Sequence, residues 1–245
     1  MNNILVTGSK GFIGQNLIKQ LENKNILEFN RKDSIDKLEE LVLRSDFIFH
    51  FAGEVRPNSS DNAFIESNVT LTQKLIQILE KNNKKIPILF TSSIHAKLLK
   101  NEYGKTKRES ELLIESYSKN NNIDCFIYIL PHVFGEDCKP NYNSVISTWI
   151  HNSIKNLEIT IYDRDIQMSY VYIQDIITEF LTNLDQKEKE LYNEPKKIYK
   201  TTLGEVVDYL EKFNNNLNQL DDYVCSNEFE EKLYNTYMYY ANKLK

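Results

Sequence analysis

The chain has 245 residues, of which 41% are hydrophobic and 27% charged, so its composition is that of a globular protein and excludes a disordered or collagen-like chain. Its net charge of −5 argues against a protein that binds nucleic acid by neutralising phosphates. The cysteines Cys125, Cys138 and Cys225 are odd in number and form no C-x-x-C pair, so neither a disulfide framework nor a metal cluster is predicted.

The first 135 residues alternate short apolar runs with longer stretches of helical periodicity, which is the pattern of βαβ units. Such units build a parallel sheet, so the predicted fold class is α/β with a Rossmann-type doubly wound parallel sheet. The predicted elements are strand Ile4–Val6, helix Phe12–Leu21, strand Ile26–Phe29, helix Ile35–Leu43, strand Asp46–Phe51, helix Ala63–Glu80, strand Ile86–Phe90, helix Glu102–Tyr117 and strand Cys125–Leu130.

After Gly135 the pattern loosens, and it indicates a second, smaller part of the chain. We therefore predict a Rossmann domain over residues 1–135 and a small C-terminal lobe over residues 136–245, with some elements of the lobe returning to the sheet. The predicted elements of the lobe are helix Val145–Ile154, strand Ile159–Tyr162, helix Leu203–Phe213 and helix Glu228–Tyr240.

A glycine-rich turn follows the first strand and opens the first helix, in the segment TGSKGFIG from Thr7 to Gly14. Glycines allow a tight turn and a close approach of the backbone to a pyrophosphate, and the helix N-terminus adds free N–H groups. Three of the seven glycines in the chain fall here, which favours a phosphate-binding turn over a purely structural one. The residues predicted to hold a dinucleotide are Gly8, Gly11, Phe12, Ile13 and Gly14.

The end of the second strand indicates which dinucleotide is bound. NAD enzymes usually place an acidic residue there to bind the ribose hydroxyls. This chain has Asn30, followed by Arg31 and Lys32. Two cations would attract the 2′-phosphate that a carboxylate repels, so the sequence predicts NADPH, with these three residues on the cofactor. The alternative is that Arg31 and Lys32 are ordinary surface charges.

Tyr103 and Lys107 are four residues apart on a predicted helix and therefore share a face. A free tyrosine has a pKa near 10, and a neighbouring ammonium is expected to lower it. Tyr103 would then donate a proton to a ketone oxygen while a nicotinamide delivers hydride to the carbon. Ser93, at the end of the fourth strand, would hydrogen-bond the same oxygen. We predict Ser93, Tyr103 and Lys107 as the catalytic residues, with Tyr103 and Lys107 also in contact with the cofactor and Lys107 holding the nicotinamide ribose.

These motifs together resemble the extended short-chain dehydrogenase/reductases, which act mainly on nucleotide sugars. The resemblance spans most of the first 175 residues. It implies further cofactor contacts at Phe51, Ala52, Gly53 and Asn68. Arg56, in the loop after the third strand, is a further candidate contact for a cofactor or a substrate phosphate, and the alternative is an ordinary surface charge. The matching segments are the glycine turn, D-x-x-x-H-x-A-G from Asp46 to Gly53, Asn68-Val69, Ser92-Ser93, Tyr103-x-x-x-Lys107 and PHVFG from Pro131 to Gly135.

A narrower resemblance is to the reductase domain of capsular polysaccharide enzymes that make UDP-N-acetyl-L-fucosamine. It rests on HFAGEVRP from His50, CKPNYNSVI from Cys138 and TLGEVV from Thr202. It implies NADPH-dependent reduction of the 4-keto group of a UDP-2-acetamido-2,6-dideoxy-hexos-4-ulose. In that family a metal-binding cupin domain with 3-epimerase activity follows, and none is found before Lys245, so ketone reduction is the expected activity.

The predicted lobe is expected to bind the UDP-sugar, together with residues near the catalytic set. The candidate substrate contacts are Ser93, His95, His132, Lys139, Asn141, Tyr142, Asn143 and Arg164. His50, at the end of a strand, is expected to be a buried, hydrogen-bonded residue instead. The resemblance also implies a homodimer.

Other activities remain open as alternatives to ketone reduction. Dehydratases of the superfamily carry an Asp-Glu pair after the serine, and this chain has Ile94-His95 there, so dehydration is not expected. The alternatives kept are a bifunctional 3-epimerase/4-reductase, an NAD-dependent UDP-sugar 4-epimerase and a non-catalytic NADP-binding regulator. The N-terminus lacks a signal-peptide pattern and no apolar run is long enough for a membrane span, so we expect a cytoplasmic protein without membrane, nucleic-acid or metal partners.

Overall fold

The structure is a computed structural model that describes residues 1–184, 190–215 and 223–244. The strands are β1 Asn3–Thr7, β2 Asn25–Phe29, β3 Phe47–His50, β4 Ile88–Ser93, β5 Phe126–Leu130, β6 His132–Phe134, β7 Gln167–Tyr172, β8 Tyr192–Asn193 and β9 Tyr199–Thr202. The helices are α1 Phe12–Gln20, α2 Ile35–Arg44, α3 Asp61–Phe64, α4 Leu71–Lys81, α5 Ile94–Leu98, α6 Glu102–Asn121, α7 Val145–Ile154, α8 Ile173–Leu184, α9 Leu203–Asn215 and α10 Glu228–Leu244, with a π-helical segment at Ile65–Thr70.

Contacts divide the chain into two compact units, Met1–Leu130 with Ile177–Pro195, and Pro131–Ile176 with Lys196–Lys245. The predicted domains 1–135 and 136–245 stay a prediction, because a unit of contacts is not by itself a domain that folds alone.

The first unit contains a six-stranded sheet in the order β2-β1-β3-β4-β5-β8, with every neighbouring pair parallel. The predicted doubly wound parallel sheet is confirmed. The chain moves from β1 outward to β2 and then returns to the other side of β1 as β3. This reversal creates a crevice beyond the carboxyl ends of β1 and β3, where doubly wound folds bind ligands.

The inner strands of the first unit carry apolar runs because helices cover both faces of a doubly wound sheet. Ile4, Leu5 and Val6 of β1 are completely buried, and so are Phe47, Ile48 and Phe49 of β3. Side chains of α2, α4 and α6, such as Leu38, Leu75 and Ile114, complete the core on one face. This rigid centre fixes the positions of the loops that follow β1, β3 and β4.

The predicted helix Ala63–Glu80 is three segments in the structure, because the π-helical segment Ile65–Thr70 lies between α3 and α4. Apolar periodicity alone does not distinguish an α-helix from one that contains a wider turn. Asn68 lies in the π-helical segment and is buried. The wider turn therefore contains a residue that the sequence predicts to contact the cofactor.

The second unit contains a three-stranded sheet in the order β6-β7-β9, in which β6 and β7 are parallel and β7 and β9 antiparallel. The predicted strand Ile159–Tyr162 is wrong, since that segment has no regular structure and Tyr162 is 99% exposed. The strand is β7, which begins a few residues later. Its first half is not fully buried and contains no apolar run, so the apolar pattern does not predict it. The predicted helix Val145–Ile154 has these bounds in the structure, and the other two helices extend slightly further than predicted.

Within the described residues, no helix combines the length and the apolar character needed to cross a membrane.

Candidate active site

The glycine turn lies between β1 and α1, and its geometry requires glycine. Gly8 has φ +69°, a left-handed conformation, and a Cβ there would come within 2.8 Å of the Ala52 nitrogen. A Cβ on Gly14 would lie 2.4 Å from the Gly8 carbonyl oxygen. The Gly8 N–H donates to the Phe29 carbonyl at 2.8 Å, which ties the turn to the end of β2.

This turn fits the pyrophosphate of a dinucleotide. Gly11 caps α1 without a side-chain hydrogen bond, so no capping side chain covers the first N–H groups of this nine-residue helix. The helix N-terminus carries a partial positive charge and attracts an anion. The contacts predicted for Gly8, Gly11, Phe12, Ile13 and Gly14 are compatible with this geometry and stay predictions.

Asn30 holds the glycine turn in place. Its Oδ1 accepts hydrogen bonds from the Ser9 hydroxyl at 2.9 Å and from the Lys10 backbone N–H at 3.0 Å. The observed role of Asn30 is therefore to shape the turn, and a direct contact with a cofactor stays a prediction.

Glu54 is a buried carboxylate that the sequence reasoning missed. Arg31 donates to its Oε2 at 2.7 Å, and so does Arg56. The side chain of Glu54 is 1% exposed. The hydrogen bonds from Arg56, with smaller contributions from the Arg31 side chain and the local backbone, lower the pKa of Glu54 well below its usual range. Lys32 is exposed. Arg31 and Arg56, both predicted as cofactor contacts, are thus two arms of one ion cluster, and their contact with a cofactor stays a prediction.

The loop after β3 is held by Asn68. Its Oδ1 accepts from the Glu54 backbone N–H at 2.8 Å, and its Nδ2 donates to Thr106 Oγ1 at 3.1 Å. A Cβ on Gly53 would lie 2.7 Å from that same Oδ1. Asn68 therefore joins Glu54, in the loop after β3, to Thr106 of α6. The contacts predicted for Phe51, Ala52, Gly53 and Asn68 with a cofactor stay predictions.

The predicted catalytic side chains lie at the carboxyl end of β4 and the start of α6. Ser93 is the last residue of β4, and its hydroxyl accepts from the His95 backbone N–H at 3.3 Å. Lys107 is buried, donates to the Thr91 carbonyl at 2.9 Å and lies over the Phe90 ring at 4.7 Å from its centre. Tyr103 is one turn before Lys107 in α6.

The pKa of Tyr103 differs from the expectation. Burial raises it, although a hydrogen bond with Ser93 acts in the opposite direction. The net shift of the Tyr103 pKa is upward because desolvation of the phenol dominates. The Lys107 ammonium is directed to the Thr91 carbonyl in this structure, and its expected stabilisation of the Tyr103 phenolate stays a prediction. Burial also lowers the pKa of Lys107 to about 8, against the opposing charge of Glu111.

Gly104 brings α5 and α6 into close contact next to Tyr103. A Cβ on Gly104 would lie 2.3 Å from the His95 carbonyl oxygen. The His95 ring meets Tyr103 edge-on at 5.8 Å between ring centres, and Phe64 lies 6.0 Å from Tyr103 on the same measure. His95 is therefore beside the phenol, and its predicted contact with substrate stays a prediction.

Glu111 is a second buried carboxylate that the sequence reasoning missed. It accepts from the Ser92 hydroxyl at 2.5 Å and from Arg108 at 2.7 Å. It thereby joins α6 to the end of β4, the two elements that carry Tyr103 and Ser93. In the sequence, Glu111 is marked only as a charged residue one turn after a lysine in a helix. That pattern is common on solvated helix faces, so it does not indicate a buried carboxylate.

The other predicted substrate contacts belong to the second unit. Lys139, Asn141, Tyr142 and Asn143 are exposed in the loop before α7. His132 is also exposed. Arg164 donates to Asp208 at 2.5 Å and to the Gly204 carbonyl at 3.2 Å, so its charge is already paired with a carboxylate. The roles of these residues toward a substrate stay predictions.

His50 is a buried structural residue. Its Nδ1 is hydrogen-bonded to Thr7 at 2.7 Å and its Nε2 to Thr72 at 2.9 Å. Burial, with a smaller contribution from the charge of Lys107, lowers the pKa of His50 to about 3. The imidazole is therefore neutral at neutral pH.

This burial predicts a pH-dependent stability. An unfolded histidine has a pKa near 6.5, so between about pH 6.5 and 3 the unfolded chain binds the extra proton and the folded chain loses stability as pH falls. The loss is expected to approach about 1.4 kcal/mol per pH unit for this one group. Urea unfolding of the protein and of His50→Gln at about pH 7, 6 and 5 would measure it. Equal pH slopes for the two proteins would contradict the prediction.

The chain is similar to known proteins in sequence and in fold. The chain matches the model of the NAD dependent epimerase/dehydratase family over residues 4–194. It is 35% identical, over 96% of its length, to the UDP-2-acetamido-2,6-beta-L-arabino-hexul-4-ose reductase of Pseudomonas aeruginosa. The chain spans 64% of that relative's length.

Solved structures are also similar. The capsular polysaccharide assembling protein CapF from Staphylococcus aureus is 36% identical with a TM-score of 0.84, over all of this chain and 67% of CapF. A UDP-glucose 4-epimerase from Thermotoga maritima has a TM-score of 0.85 over 99% of this chain and 100% of its own. At 17% identity, the epimerase shares the fold only.

Proposed function

The chain belongs to the NAD dependent epimerase/dehydratase family, whose members use a nicotinamide cofactor, and from that premise we propose that it reduces a UDP-linked 2-acetamido-2,6-dideoxy-hexos-4-ulose at C4 with NADPH. The product is a UDP-linked 6-deoxy-N-acetylhexosamine. The observation that carries the proposal is the grouping of Ser93, Tyr103 and Lys107 around the end of β4, in a chain similar to the Pseudomonas reductase.

The bound cofactor would supply hydride to the carbonyl carbon of the sugar. Ser93 donates a hydrogen bond to the ketone oxygen and holds it in place. Tyr103 transfers its proton to that oxygen, so the carbonyl becomes a secondary alcohol and the phenol a phenolate. A phenol has an ordinary pKa near 10, so Tyr103 carries the proton at neutral pH that it donates in this step. Lys107 stabilises the phenolate that forms.

We assign the other predicted residues to the cofactor and to the sugar nucleotide. The glycine turn holds the pyrophosphate, while Phe51, Ala52 and Gly53 line the crevice beside it. The residues of the second unit predicted above hold the UDP-sugar. Two copies of the chain form a homodimer.

The burial of Lys107 predicts an alkaline limb in the rate profile. Lys107 stabilises a phenolate only as an ammonium, and its pKa is about 8 in the structure. The value of kcat/KM for NADPH is therefore expected to fall above about pH 8, approaching 10-fold per pH unit. Steady-state rates between about pH 6 and 10 would measure the limb.

Lys107→Arg is the matched variant for this profile, because a guanidinium stays protonated through the whole range. Whatever activity this variant retains is expected to lack the limb near pH 8. A wild-type profile that stays flat to about pH 10 would contradict the assigned role of Lys107.

The function itself is tested by nicotinamide oxidation. Purified protein is mixed with NADPH, or with NADH, and with UDP-linked 4-keto-6-deoxy-N-acetyl sugars made by a dehydratase. NADPH consumption with formation of a UDP-6-deoxy sugar supports the proposal. No consumption with any isomer, while NADPH binds, overturns it.

The alternatives have their own signatures in the same assay. Solvent deuterium at C3 of the product would identify a bifunctional 3-epimerase/4-reductase. Interconversion of UDP-sugars with NAD retained through purification would identify a 4-epimerase. Cofactor binding that alters no substrate would identify a non-catalytic binder.

A further inference from the structure

Two arginines from different loops meet on one oxygen atom beside the glycine turn. Arg31, just after β2, and Arg56, after β3, each donate an Nη2 hydrogen to Oε2 of Glu54 at 2.7 Å. Because both guanidinium groups lie at one oxygen, they are neighbours although they are 25 positions apart in the chain. Guanidinium groups repel one another, so this arrangement depends on the carboxylate between them.

Glu54 has no capacity left for a ligand. Its Oε1 accepts from the Val55 N–H at 3.0 Å, from the Arg56 N–H at 2.9 Å and from Arg56 Nε at 2.9 Å. With the two bonds at Oε2, the carboxylate accepts five hydrogen bonds, and its side chain is 1% exposed. A carboxylate has about four lone-pair sites, so they are filled. Glu54 is therefore unable to accept from a ribose hydroxyl, the usual role of an acidic residue in NAD enzymes.

The arginines, in contrast, face solvent. The side chain of Arg31 is 61% exposed and that of Arg56 is 43% exposed. The cluster of two cations and one anion has a net charge of +1, and Lys32 is exposed next to it in the chain. Arginine presents several planar donors, which suit the oxygens of a phosphate monoester.

The cluster also lies at the correct place for the adenosine end of a dinucleotide. In the order β2-β1-β3, Arg31 follows the strand on one side of β1 and Glu54 follows the strand on the other side. The ion pair therefore spans the end of β1, where the glycine turn begins. Asn30, the neighbour of Arg31, is hydrogen-bonded to that turn.

We propose that Arg31, Glu54 and Arg56 form one preassembled site for the 2′-phosphate of NADPH, in which the arginines bind the phosphate and Glu54 is a positioning residue. This inference deepens the proposed function and rests on its NADPH assignment. Glu54 favours NADPH because it holds the two arginines that bind the phosphate side by side. Its own negative charge is the feature that is usually associated with NAD enzymes.

Equilibrium binding of NADPH and NADH, by titration calorimetry or nucleotide fluorescence, tests the site without any turnover. Arg31→Gln, Arg56→Gln and Glu54→Gln are each expected to weaken NADPH binding about 10-fold or more and to change NADH binding less than about 3-fold. The amide of Glu54→Gln keeps an acceptor for the backbone but presents N–H groups to the arginines. Adenosine 2′,5′-bisphosphate, compared with 5′-AMP, is expected to show the same losses as NADPH.

A matched control is Arg44→Gln. Arg44 forms an exposed 2.7 Å ion pair with Glu40 in the last turn of α2, just before β3 and thus at the opposite edge of the sheet. It is expected to leave both affinities unchanged. If Glu54→Gln does not fold, as judged by thermal unfolding, Arg56→Lys is the substitute, since it keeps the charge and loses the forked geometry.

The outcomes separate this inference from the function on which it rests. Unchanged or tighter NADPH binding by Glu54→Gln overturns the positioning role, and unchanged binding by Arg56→Gln or Arg56→Lys overturns the two-armed site, while the reductase assignment stands. A wild-type protein that binds NADH as tightly as NADPH overturns the 2′-phosphate site and the choice of cofactor. Absence of ketone reduction with either cofactor, despite a preference for NADPH in binding, overturns the function and leaves this site supported.

Discussion

Replacing Tyr103 with phenylalanine is expected to lower kcat for ketone reduction by about 100-fold to 10,000-fold, the usual contribution of a positioned proton donor. The substitution removes only a hydroxyl, and the ring contacts with Phe64 and His95 are retained. NADPH affinity is therefore expected to change less than about 3-fold. Single-turnover rates together with equilibrium binding would separate the chemical step from cofactor binding.

The control for this variant is Tyr162→Phe, which removes the same group from a side chain that is 99% exposed. It is expected to have wild-type activity. A Tyr103→Phe protein that reduces the ketone at more than about a tenth of the wild-type rate would contradict the role of Tyr103 as proton donor.

Replacing Gly14 with alanine is expected to weaken cofactor binding by about 10-fold or more. The new Cβ would lie 2.4 Å from the Gly8 carbonyl oxygen, 2.9 Å from the Ser9 Cα and 3.0 Å from the Ser9 carbonyl oxygen. All three are backbone atoms, so the turn itself must move. Alanine is a better helix former than glycine by up to about 1 kcal/mol, and the clash acts against that gain.

Gly11→Ala provides a graded comparison. Its Cβ would meet only the Gly8 carbonyl oxygen, at 3.0 Å, so a smaller displacement suffices and a smaller loss of NADPH affinity is expected. Fluorescence titration with NADPH measures the affinities of wild type, Gly11→Ala and Gly14→Ala. Urea unfolding shows whether each variant is folded. Equal affinities for wild type and Gly14→Ala would exclude a phosphate-binding role for this turn.

The first half of the fold was predictable because its signals are local. The inner strands β1, β3, β4 and β5 of the parallel sheet are buried almost throughout, and each contains a short apolar run. The glycines occur where the turn has no room for a side chain. Tyr103 and Lys107 share a helix face through their spacing alone. These features depend on residues close together in the chain.

The second unit was less predictable for a physical reason. The strand β7 begins with Gln167, Met168 and Ser169, which are not fully buried, so no apolar run marks its start. The apolar segment Ile159–Tyr162 resembles a strand, but Tyr162 is exposed, and among the residues that the structure describes no strand pairs with this segment. Pairing with a distant partner, here β9, decides which segment joins the sheet.

Periodicity and spacing alone predict the doubly wound sheet, the glycine turn and the identity of the candidate catalytic residues. The electrostatic state of those residues depends on the surroundings that the folded chain gives them. Burial raises the pKa of Tyr103 and lowers that of Lys107. The strand order brings Arg31 to Glu54, 23 residues away. Desolvation and long-range charge contacts depend on what the fold places around a group, and no local pattern of residues records that.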